Sequence, residues 1–410
     1  MKRRKILFAI ISLFAFAACN DGNEVTSHPG WSYNAVIYEM NIRQYTPEGT
    51  FIAASRELPR LKELGVDVLW LMPIYPIGVK NRKGTLGSYY AISDYYGVNP
   101  EFGDMDDFSS FLELAHGLGF KVILDWVANH TSPDAKWIYE CPADWYERDS
   151  LGNTVVEYDW TDIAALNYEN KDVWKAQEKA MRFWLDKGVD GFRCDMACEM
   201  PIEFWRCVIP ELRRDYPDIY MLAEGEDPLL HKDAFDASYA WELHHLLNDV
   251  AQGKKGAEEI VAYIRKDASK YPEDAFRLMF TSNHDENSWA GTEFERMGGA
   301  AKAMALLTFT LPCGQPLLYT GQEIGWNKRF EFFEKDPVPS WEENEYTDFY
   351  KWLISLRHEN PALQAGEKGG EFSLVSAEDN VLVFSRTVPD NKVTVFVKLE
   401  EPWDYNVVVE

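Results

Sequence analysis

A repeated alternation of short apolar runs and helix-like segments constrains this chain more than any other feature. Each run spans six to eight residues, is rich in β-branched and aromatic side chains, and is followed by a polar break and a helical pattern. Because these runs are apolar on both faces, they predict a parallel sheet covered by helices on both sides. The clearest runs are AVIYEM (35–40), VDVLWLMP (66–73), KVILDW (121–126), GFRCDMA (191–197), IYMLAE (219–224), AFRLMF (275–280) and QPLLYT (315–320).

The number of these runs favours a closed barrel. With an eighth candidate strand in AFDASYAW (234–241), the chain predicts an α/β fold, a (β/α)8 TIM barrel over residues 32–360. A doubly wound open sheet is the alternative. Residues 131–168 interrupt the alternation of strands and helices after the third strand and predict an inserted subdomain over the barrel mouth. Residues 361–410 change to short alternating strands and predict a small C-terminal antiparallel β domain.

The amino-terminal stretch MKRRKILFAIISLFAFAACN has the layout of a bacterial export signal. Its apolar run, residues 6–18, is shorter than the roughly 20 residues that a membrane-spanning helix needs. We therefore expect residues 1–18 to be a lipoprotein signal peptide, Cys19 to be lipidated, and residues 19–31 to form a tether. The protein would be exported and anchored by lipid on the periplasmic or cell-surface side. Cleavage at the alanines and release as a soluble protein is the alternative.

Charge and cysteine content exclude several classes of partner. The net charge is -26, and removing residues 1–18 with their four basic side chains moves it to -30. Such a chain repels nucleic acid and anionic lipid headgroups, so no nucleic-acid partner is expected and membrane contact is expected through the lipid anchor only. The five cysteines besides Cys19 contain no CxxC pair, so neither a disulfide framework nor a zinc knuckle is predicted, and an isolated bridge stays open. The oligomeric state is left open.

Charged side chains recur where the predicted strands end. In GFRCDMA, Arg193 and Asp195 are two residues apart and therefore share one face of the strand. Glu224 ends the fifth strand, and His284 and Asp285 follow the strand AFRLMF. Any one of them could be a helix cap or a satisfied ion pair. Together they lie at the end of the barrel where active sites are found, and they predict a catalytic cleft.

Several acids without a phosphate-binding glycine loop suggest glycoside cleavage, which needs a nucleophilic carboxylate and a protonated one. Asp195 suits the nucleophile because Arg193 would keep it ionised. Glu224 suits the acid because an apolar surrounding and nearby negative charge favour the protonated form. Glu226 is a rival for the acid, but its setting in EGEDP predicts a solvated loop carboxylate. The same is expected of Asp227 and Glu286.

Seven short blocks, in order, resemble the α-amylase family, glycoside hydrolase family 13. The blocks DWVANH, GFRCDMA, LAE and SNHD are similar to its four main conserved blocks, and GSYYAISDYYGVNP, GQPLLYTGQE and DIAALNYEN to three more. The resemblance implies Asp195 as nucleophile, Glu224 as general acid/base and Asp285 as stabiliser of the transition state. It also implies that Tyr90 stacks on the sugar. Four further residues would surround that subsite: Asp94, His130, Arg193 and His284.

The resemblance implies a retaining α-glycoside hydrolase that cleaves α-1,4-glucosidic bonds of starch-derived glucans or maltooligosaccharides through a covalent glycosyl-aspartate. Transglycosylation uses the same intermediate and stays open. A non-catalytic glycan-binding surface protein is a third interpretation, but a degenerate barrel would be expected to lose at least one acid, and all three are present.

No cofactor is required by this chemistry, and calcium stays open. Where many family members carry a Lys-His pair that helps to hold calcium, this chain has Cys198 and Glu199. Asn129, Asp159 and Asp162 are the remaining candidate ligands, because calcium prefers oxygen donors.

Four tryptophans lie in loops near the predicted cleft. They can stack on sugar faces or fill gaps between the insertion and the barrel, and we expect about half of them to fill gaps. They are Trp137, Trp145, Trp160 and Trp289.

Overall fold

The computed structural model describes residues 28–410, so the predicted signal peptide and Cys19 lie outside the described residues. Eight parallel strands close into a barrel in the ring order β1-β10-β9-β8-β7-β6-β3-β2. The predicted TIM barrel is confirmed, and the open sheet is wrong. The strands are β1 (Ile37–Met40), β2 (Val68–Leu71), β3 (Lys121–Val127), β4 (His130–Thr131), β5 (Ala164–Ala165), β6 (Gly191–Asp195), β7 (Tyr220–Ala223), β8 (Ala237–Tyr239), β9 (Phe276–Met279), β10 (Gly314–Tyr319), β11 (Glu371–Ser376), β12 (Val381–Val388), β13 (Asn391–Lys398) and β14 (Asp404–Val409).

Helices cover the outside of the barrel, and several begin at side-chain caps. Asp104 accepts from the backbone N–H groups of Asp106 and Asp107, which are among the donors that a helix start leaves unpaired. The helices are α1 (Ile42–Tyr45), α2 (Phe51–Ser55), α3 (Leu58–Leu64), α4 (Met105–Gly117), α5 (Lys136–Glu140), α6 (Lys171–Asp186), α7 (Ile202–Asp215), α8 (Trp241–Ala251), α9 (Ala257–Lys270), α10 (Glu293–Met297), α11 (Ala301–Thr310) and α12 (Glu345–Glu359).

The strand that carries Arg193 and Asp195 is buried along its whole length. It begins at Gly191, whose φ is +150°, and a β-carbon there would collide with the carbonyl oxygen of Tyr220 on β7. Only glycine permits this close approach, because any side chain would separate the two strands. The glycine thus sets the position at which the two charged residues reach the mouth of the barrel.

Two smaller sheets flank the barrel, as the sequence predicts. Strands β4 and β5 pair antiparallel in the insertion, with His130 opposite Ala165. Strands β11 to β14 form an antiparallel sheet in sequential order. The buried Arg386 of β12 joins this sheet to the barrel helices, because its guanidinium donates to the carbonyl oxygens of Thr310 and Gln364.

The described chain starts at the end of the barrel opposite the catalytic mouth. His28, in the segment that the sequence assigns to the tether, contacts the Asp236 carboxylate at 2.6 Å and the Asp274 carbonyl oxygen at 2.8 Å. Its ring packs 4.3 Å from that of Phe276, the first residue of β9. Among residues 28–410, no helix combines the length and the apolar character needed to cross a membrane.

Candidate active site

One arginine joins three carboxylates at the mouth of the barrel. The fully buried Arg193 contacts Asp125 through Nη1 at 2.7 Å, Asp195 through Nη1 at 2.9 Å and Glu224 through Nη2 at 2.9 Å. Its Nε donates to the Tyr239 hydroxyl at 3.2 Å. Because Asp125, Asp195 and Glu224 come from β3, β6 and the end of β7, this guanidinium draws three neighbouring strand ends into one site.

The charges in this cluster do not balance, since one guanidinium faces three acids. Burial and the neighbouring Glu224 raise the pKa of Asp195 well above its usual range, and Arg193 opposes the shift. Arg193 thus favours the ionised form of Asp195, as expected, but burial and Glu224 outweigh it in setting the pKa of this carboxyl group. Glu224 has the more exposed side chain, and its Oε2 accepts from the Met196 backbone N–H at 2.8 Å.

The third predicted acid, Asp285, lies in a second group of contacts, centred on His284. His284 Nε2 is 3.3 Å from Asp285 Oδ2 and 2.8 Å from the Tyr90 hydroxyl, while its Nδ1 is 2.5 Å from Oε1 of the buried Glu39. Burial lowers the pKa of His284, but Asp285 and Glu39 outweigh it and raise the pKa to about 9. His284 is therefore a cation at neutral pH. Desolvation raises the pKa of Asp285, and His284 opposes that rise.

Tyr90 connects the two groups. Its hydroxyl donates to Asp125 Oδ2 at 3.0 Å, and its ring stacks on His284 with centroids 5.4 Å apart and planes 22° apart. The structure thus brings six residues singled out from the sequence together with Asp125 of the block DWVANH: Tyr90, Arg193, Asp195, Glu224, His284 and Asp285. Their roles stay predictions.

His130 and Asp94 lie outside this network of contacts. His130 is buried, its Nε2 has no hydrogen-bond partner among the described residues, and burial lowers its pKa to about 4. It is a neutral group with a free polar atom. Asp94 instead contacts Lys136 of α5 at 2.5 Å and accepts from the Tyr96 backbone N–H. This arrangement ties the loop after β2 to the insertion.

Two carboxylates expected to be solvated have basic side chains as partners. Glu226 Oε1 contacts Arg277 Nη2 of β9 at 2.8 Å, and Glu286 Oε2 contacts His244 Nε2 of α8 at 2.9 Å. The expectation of free loop carboxylates is wrong for both, because their partners lie far away in the sequence. Asp227, expected to be solvated as well, caps a short helical turn by accepting from the Leu229 N–H.

The candidate calcium ligands are used in other contacts. Asp162, whose side chain is only 4% exposed, lies 3.3 Å from the Lys83 ammonium, which also donates to the Asp159 carbonyl oxygen. Asn129 donates through Nδ2 to Glu157. Within residues 28–410, no group of three or more His, Cys, Asp or Glu side chains is arranged to hold a metal ion. Lys83 supplies the positive charge beside Asp162.

Sequence reasoning gave no role to several residues that shape the site. Glu39 lies near the end of the first barrel strand, as Glu224 does for another, so the same strand-end signal could have identified it. Asp125, inside the block DWVANH, was given no role of its own. Trp70 could not be identified from the sequence, because a tryptophan inside an apolar run is typical of a core residue. In the structure its Nε1 donates to Asp125, and its ring lies 5.0 Å from the Arg193 guanidinium.

The four loop tryptophans divide evenly. Trp137 and Trp145 pack against each other with centroids 5.3 Å apart, and Trp137 also packs on Tyr95. These two fill a gap between the insertion and the barrel. Trp160 lies beside His130, and Trp289 is 58% exposed at the mouth. The packing of Trp137 and Trp145 agrees with the expectation that about half fill gaps, and stacking of Trp160 and Trp289 on sugar stays a prediction.

Fold and site together place the chain in the class of TIM-barrel proteins with a multi-carboxylate cleft at the carboxyl ends of the strands. The family model described as alpha amylase, catalytic domain, matches residues 18–154 and 143–348. The chain belongs to the α-amylase family.

Known relatives agree with this assignment. The chain is 34% identical over 353 residues to the α-amylase MalA of Haloarcula japonica, covering 82% of this chain and 50% of that protein. It is 28% identical over 403 residues to an α-1,4-glucan:maltose-1-phosphate maltosyltransferase of Salinibacter ruber, covering 89% and 59%. The chain thus spans about half to three fifths of the length of these two relatives. The crystal structure of an α-amylase from Lactobacillus plantarum is similar with a TM-score of 0.82 and 31% identity, covering 90% of this chain and 89% of that one.

Proposed function

We propose that this protein is a retaining α-glycoside hydrolase that cleaves α-1,4-glucosidic bonds of starch-derived glucans or maltooligosaccharides. The observation that carries the proposal is the contact of Asp195 and Glu224 with the same guanidinium, each at 2.9 Å. A shared cation keeps the two carboxyl groups close, and retaining cleavage needs a separation of about 5 to 5.5 Å. The name of the Haloarcula relative supports an amylase-type substrate.

In the first step, an oxygen of Asp195 attacks the anomeric carbon while the bond from that carbon to the glycosidic oxygen breaks. Glu224 gives its proton to the departing oxygen, so the leaving sugar is released as an alcohol. The products are a glycosyl ester on Asp195 and an ionised Glu224. The step needs a charged Asp195 and a protonated Glu224, and the Arg193 guanidinium 2.9 Å from Asp195 favours the charged form of that carboxylate.

In the second step, Glu224 takes a proton from a water molecule, and the oxygen of that water bonds to the anomeric carbon. The ester bond breaks, and the Asp195 carboxylate and the starting configuration of the sugar are restored. The cationic His284 holds Asp285 at the mouth. From there the negative charge of Asp285 can stabilise the positive charge that develops on the sugar ring in both steps.

The test is to incubate the protein, without residues 1–18, on maltooligosaccharides and soluble starch, and to follow the products by chromatography and proton NMR. Shorter sugars whose first-formed anomer is α would support the proposal. A β anomer would contradict retention. The control is Asp195→Asn, which keeps the size of the side chain and removes the nucleophilic charge, and which we expect to fold normally and lose at least about a thousandfold in activity.

Transglycosylation is the second candidate, favoured by the maltosyltransferase relative. It differs from hydrolysis only in the acceptor, since a sugar hydroxyl replaces water in the second step. Products longer than the supplied sugar would establish it. Binding without any turnover would favour a non-catalytic glycan-binding protein instead.

We also propose that the protein is exported and anchored by a lipid on Cys19, on the periplasmic or cell-surface side of the bacterial membrane. Support comes from the sequence: a basic start, a short apolar run and a cysteine after two alanines. Cys19→Ser should abolish partitioning into detergent with the membrane fraction. Unchanged partitioning would contradict lipidation at this residue.

A further inference from the structure

We propose that Trp289 and Trp160 are stacking platforms for two glucose rings on opposite sides of the catalytic carboxylates, so that the cleft binds a glucan in the middle of the chain. This inference rests on the proposed function and specifies its substrate and its mode of cleavage. It predicts internal cutting of chains several units long rather than trimming from one end.

On one side, an aromatic strip runs outward from the catalytic cluster. The Tyr90 ring is stacked on Phe332 with centroids 6.4 Å apart and planes 15° apart, and Phe332 packs 5.3 Å from Trp289. Phe333 supports Trp289 from 5.9 Å. Trp289 is nevertheless 58% exposed, so the strip starts at Tyr90 in the site and ends at an indole in solvent.

On the other side, the insertion supplies a second aromatic group. The Trp160 ring lies 5.9 Å from His130 and 4.8 Å from Tyr158, and Tyr158 is 68% exposed. His130 brings a buried Nε2 without a partner among the described residues. A sugar hydroxyl beside Trp160 would satisfy that atom, which is otherwise costly to leave unpaired.

The topology puts these two groups across the barrel from each other. Trp289 follows β9, and Trp160 belongs to the insertion after β3. In the ring of eight strands, β9 and β3 are separated by three strands in either direction. The Asp195 and Glu224 ends of β6 and β7 lie between them along one arc of the ring.

The chemistry of both groups fits a neutral polyhydroxylated chain. The C–H faces of a glucose ring pack on flat aromatic rings, and the hydroxyl groups at its edge remain free for polar partners. An exposed aromatic patch continuous with a catalytic cleft marks a ligand-binding surface. A neutral glycan also approaches a chain of net charge -26 without repulsion, unlike an anionic ligand.

The experiment uses maltoheptaose labelled at its reducing end and three variants of the enzyme: Trp289→Ala, Trp160→Ala and, as matched control, Trp352→Ala. Trp352 is a 38% exposed indole on α12 that stacks on Tyr405 of the C-terminal sheet, away from the mouth. We expect each mouth variant to lose about fivefold to tenfold in kcat/KM on maltoheptaose. We expect Trp352→Ala to lose less than about twofold.

The position of the cut gives the sharper readout. Loss of one platform lets the glucan slide toward the other, so Trp289→Ala and Trp160→Ala should shift the cleavage site in opposite directions along the labelled chain. A merely structural effect would lower the rate and leave the position unchanged. Unchanged product patterns in both variants, or a shift in the same direction, would overturn the inference while the hydrolase proposal stands.

If the unmodified enzyme turns over no maltooligosaccharide, the hydrolase proposal fails and the platforms are tested by binding. Maltoheptaose titrated into Asp195→Asn should then bind, and each mouth substitution added to that variant should weaken binding at least about fivefold. No binding of maltoheptaose to Asp195→Asn would overturn the inference as well.

Discussion

Glu39→Gln tests whether a buried carboxylate near the end of β1 sets the charge of His284. Glu39 has no exposed surface and lies 2.5 Å from His284 Nδ1. With Asp285 it overcomes the effect of burial and raises the pKa of His284 from 6.5 to about 9. That rise corresponds to about 3 kcal/mol in favour of the protonated imidazole. The substituted glutamine would keep the shape and a hydrogen-bond acceptor, but it would lose the charge.

The direction of the pH effect follows from linkage. Because the folded pKa of His284 is above the unfolded value, its stabilisation is fully present below about pH 6.5 and is lost as the pH rises through about 9. In Glu39→Gln the opposition of Glu39 to the effect of burial is lost and that of Asp285 remains, so we expect a lower pKa of His284 and a loss of stability that begins at lower pH. At pH 7 the variant should be less stable by about 1 to 3 kcal/mol.

The assay is urea unfolding between about pH 6 and 10, together with the nitrogen NMR signals of labelled His284. His28 titrates in the same range, because Asp236 and Asp274 outweigh burial and raise its pKa to about 9. Its effect on the pH dependence of stability is the same in wild type and in Glu39→Gln, so it cancels in the comparison. Glu293→Gln is the matched control, a buried carboxylate bonded to Thr281 and Gln322 rather than to a histidine. The reasoning is refuted if Glu39→Gln and wild type have the same pH dependence, or if wild-type His284 is neutral at pH 7.

Three further substitutions test other parts of the fold. Lys83→Met should lower the free energy of unfolding, measured in urea, by about 1 to 3 kcal/mol, since it leaves buried Asp162 unpaired. Adding Asp162→Asn should recover part of the loss, and no recovery would contradict the pairing of Lys83 with Asp162. Gly191→Ala should cost about 3 kcal/mol or more by driving β6 from β7, and a melting temperature equal to wild type would argue against the close approach. Phe384→Ala in the core of the C-terminal sheet should lower the free energy of unfolding by about 3 to 5 kcal/mol and leave kcat unchanged at temperatures below the unfolding transition. A lower kcat in the fully folded variant would contradict the view that this sheet stabilises the protein without taking part in catalysis.

Much of the barrel was predictable because its strands are short and apolar, and their period is regular. The alternation of side chains alone placed Arg193 and Asp195 on one face, and the structure has both at the mouth. The weak eighth strand near residues 234–241 is present as Ala237–Tyr239. Local patterns suffice here, since each strand is a local element whose neighbours are set by right-handed crossovers.

Helix boundaries were less predictable. The segment AASRELPRLKELG (53–65) has the pattern of a single helix, whereas the structure has α2 ending at Ser55 and α3 beginning at Leu58. Pro59 explains the break, because it fits the first turn of a helix but cannot donate the backbone hydrogen bond that a helix interior needs.

The pairing of charges could not be predicted. Glu39 and His284 are separated by 245 residues, and Glu226 meets Arg277 across 51. The sequence shows which charges are near strand ends but not which partners the closed barrel brings to them. The raised pKa of Asp195 is unpredictable for the same reason, because it depends on how many acids share Arg193.

The most direct test of the proposed mechanism is to trap the covalent intermediate. The enzyme is incubated with 5-fluoro-α-maltosyl fluoride, whose fluorine slows breakdown of the glycosyl ester. It is then digested and its peptides are identified by mass spectrometry. We predict one added maltosyl group, on Asp195, and none in Asp195→Asn. A hydrolytically active enzyme that carries the sugar on Glu224 or Asp285, or that carries none, would contradict the assignment of Asp195 as the nucleophile.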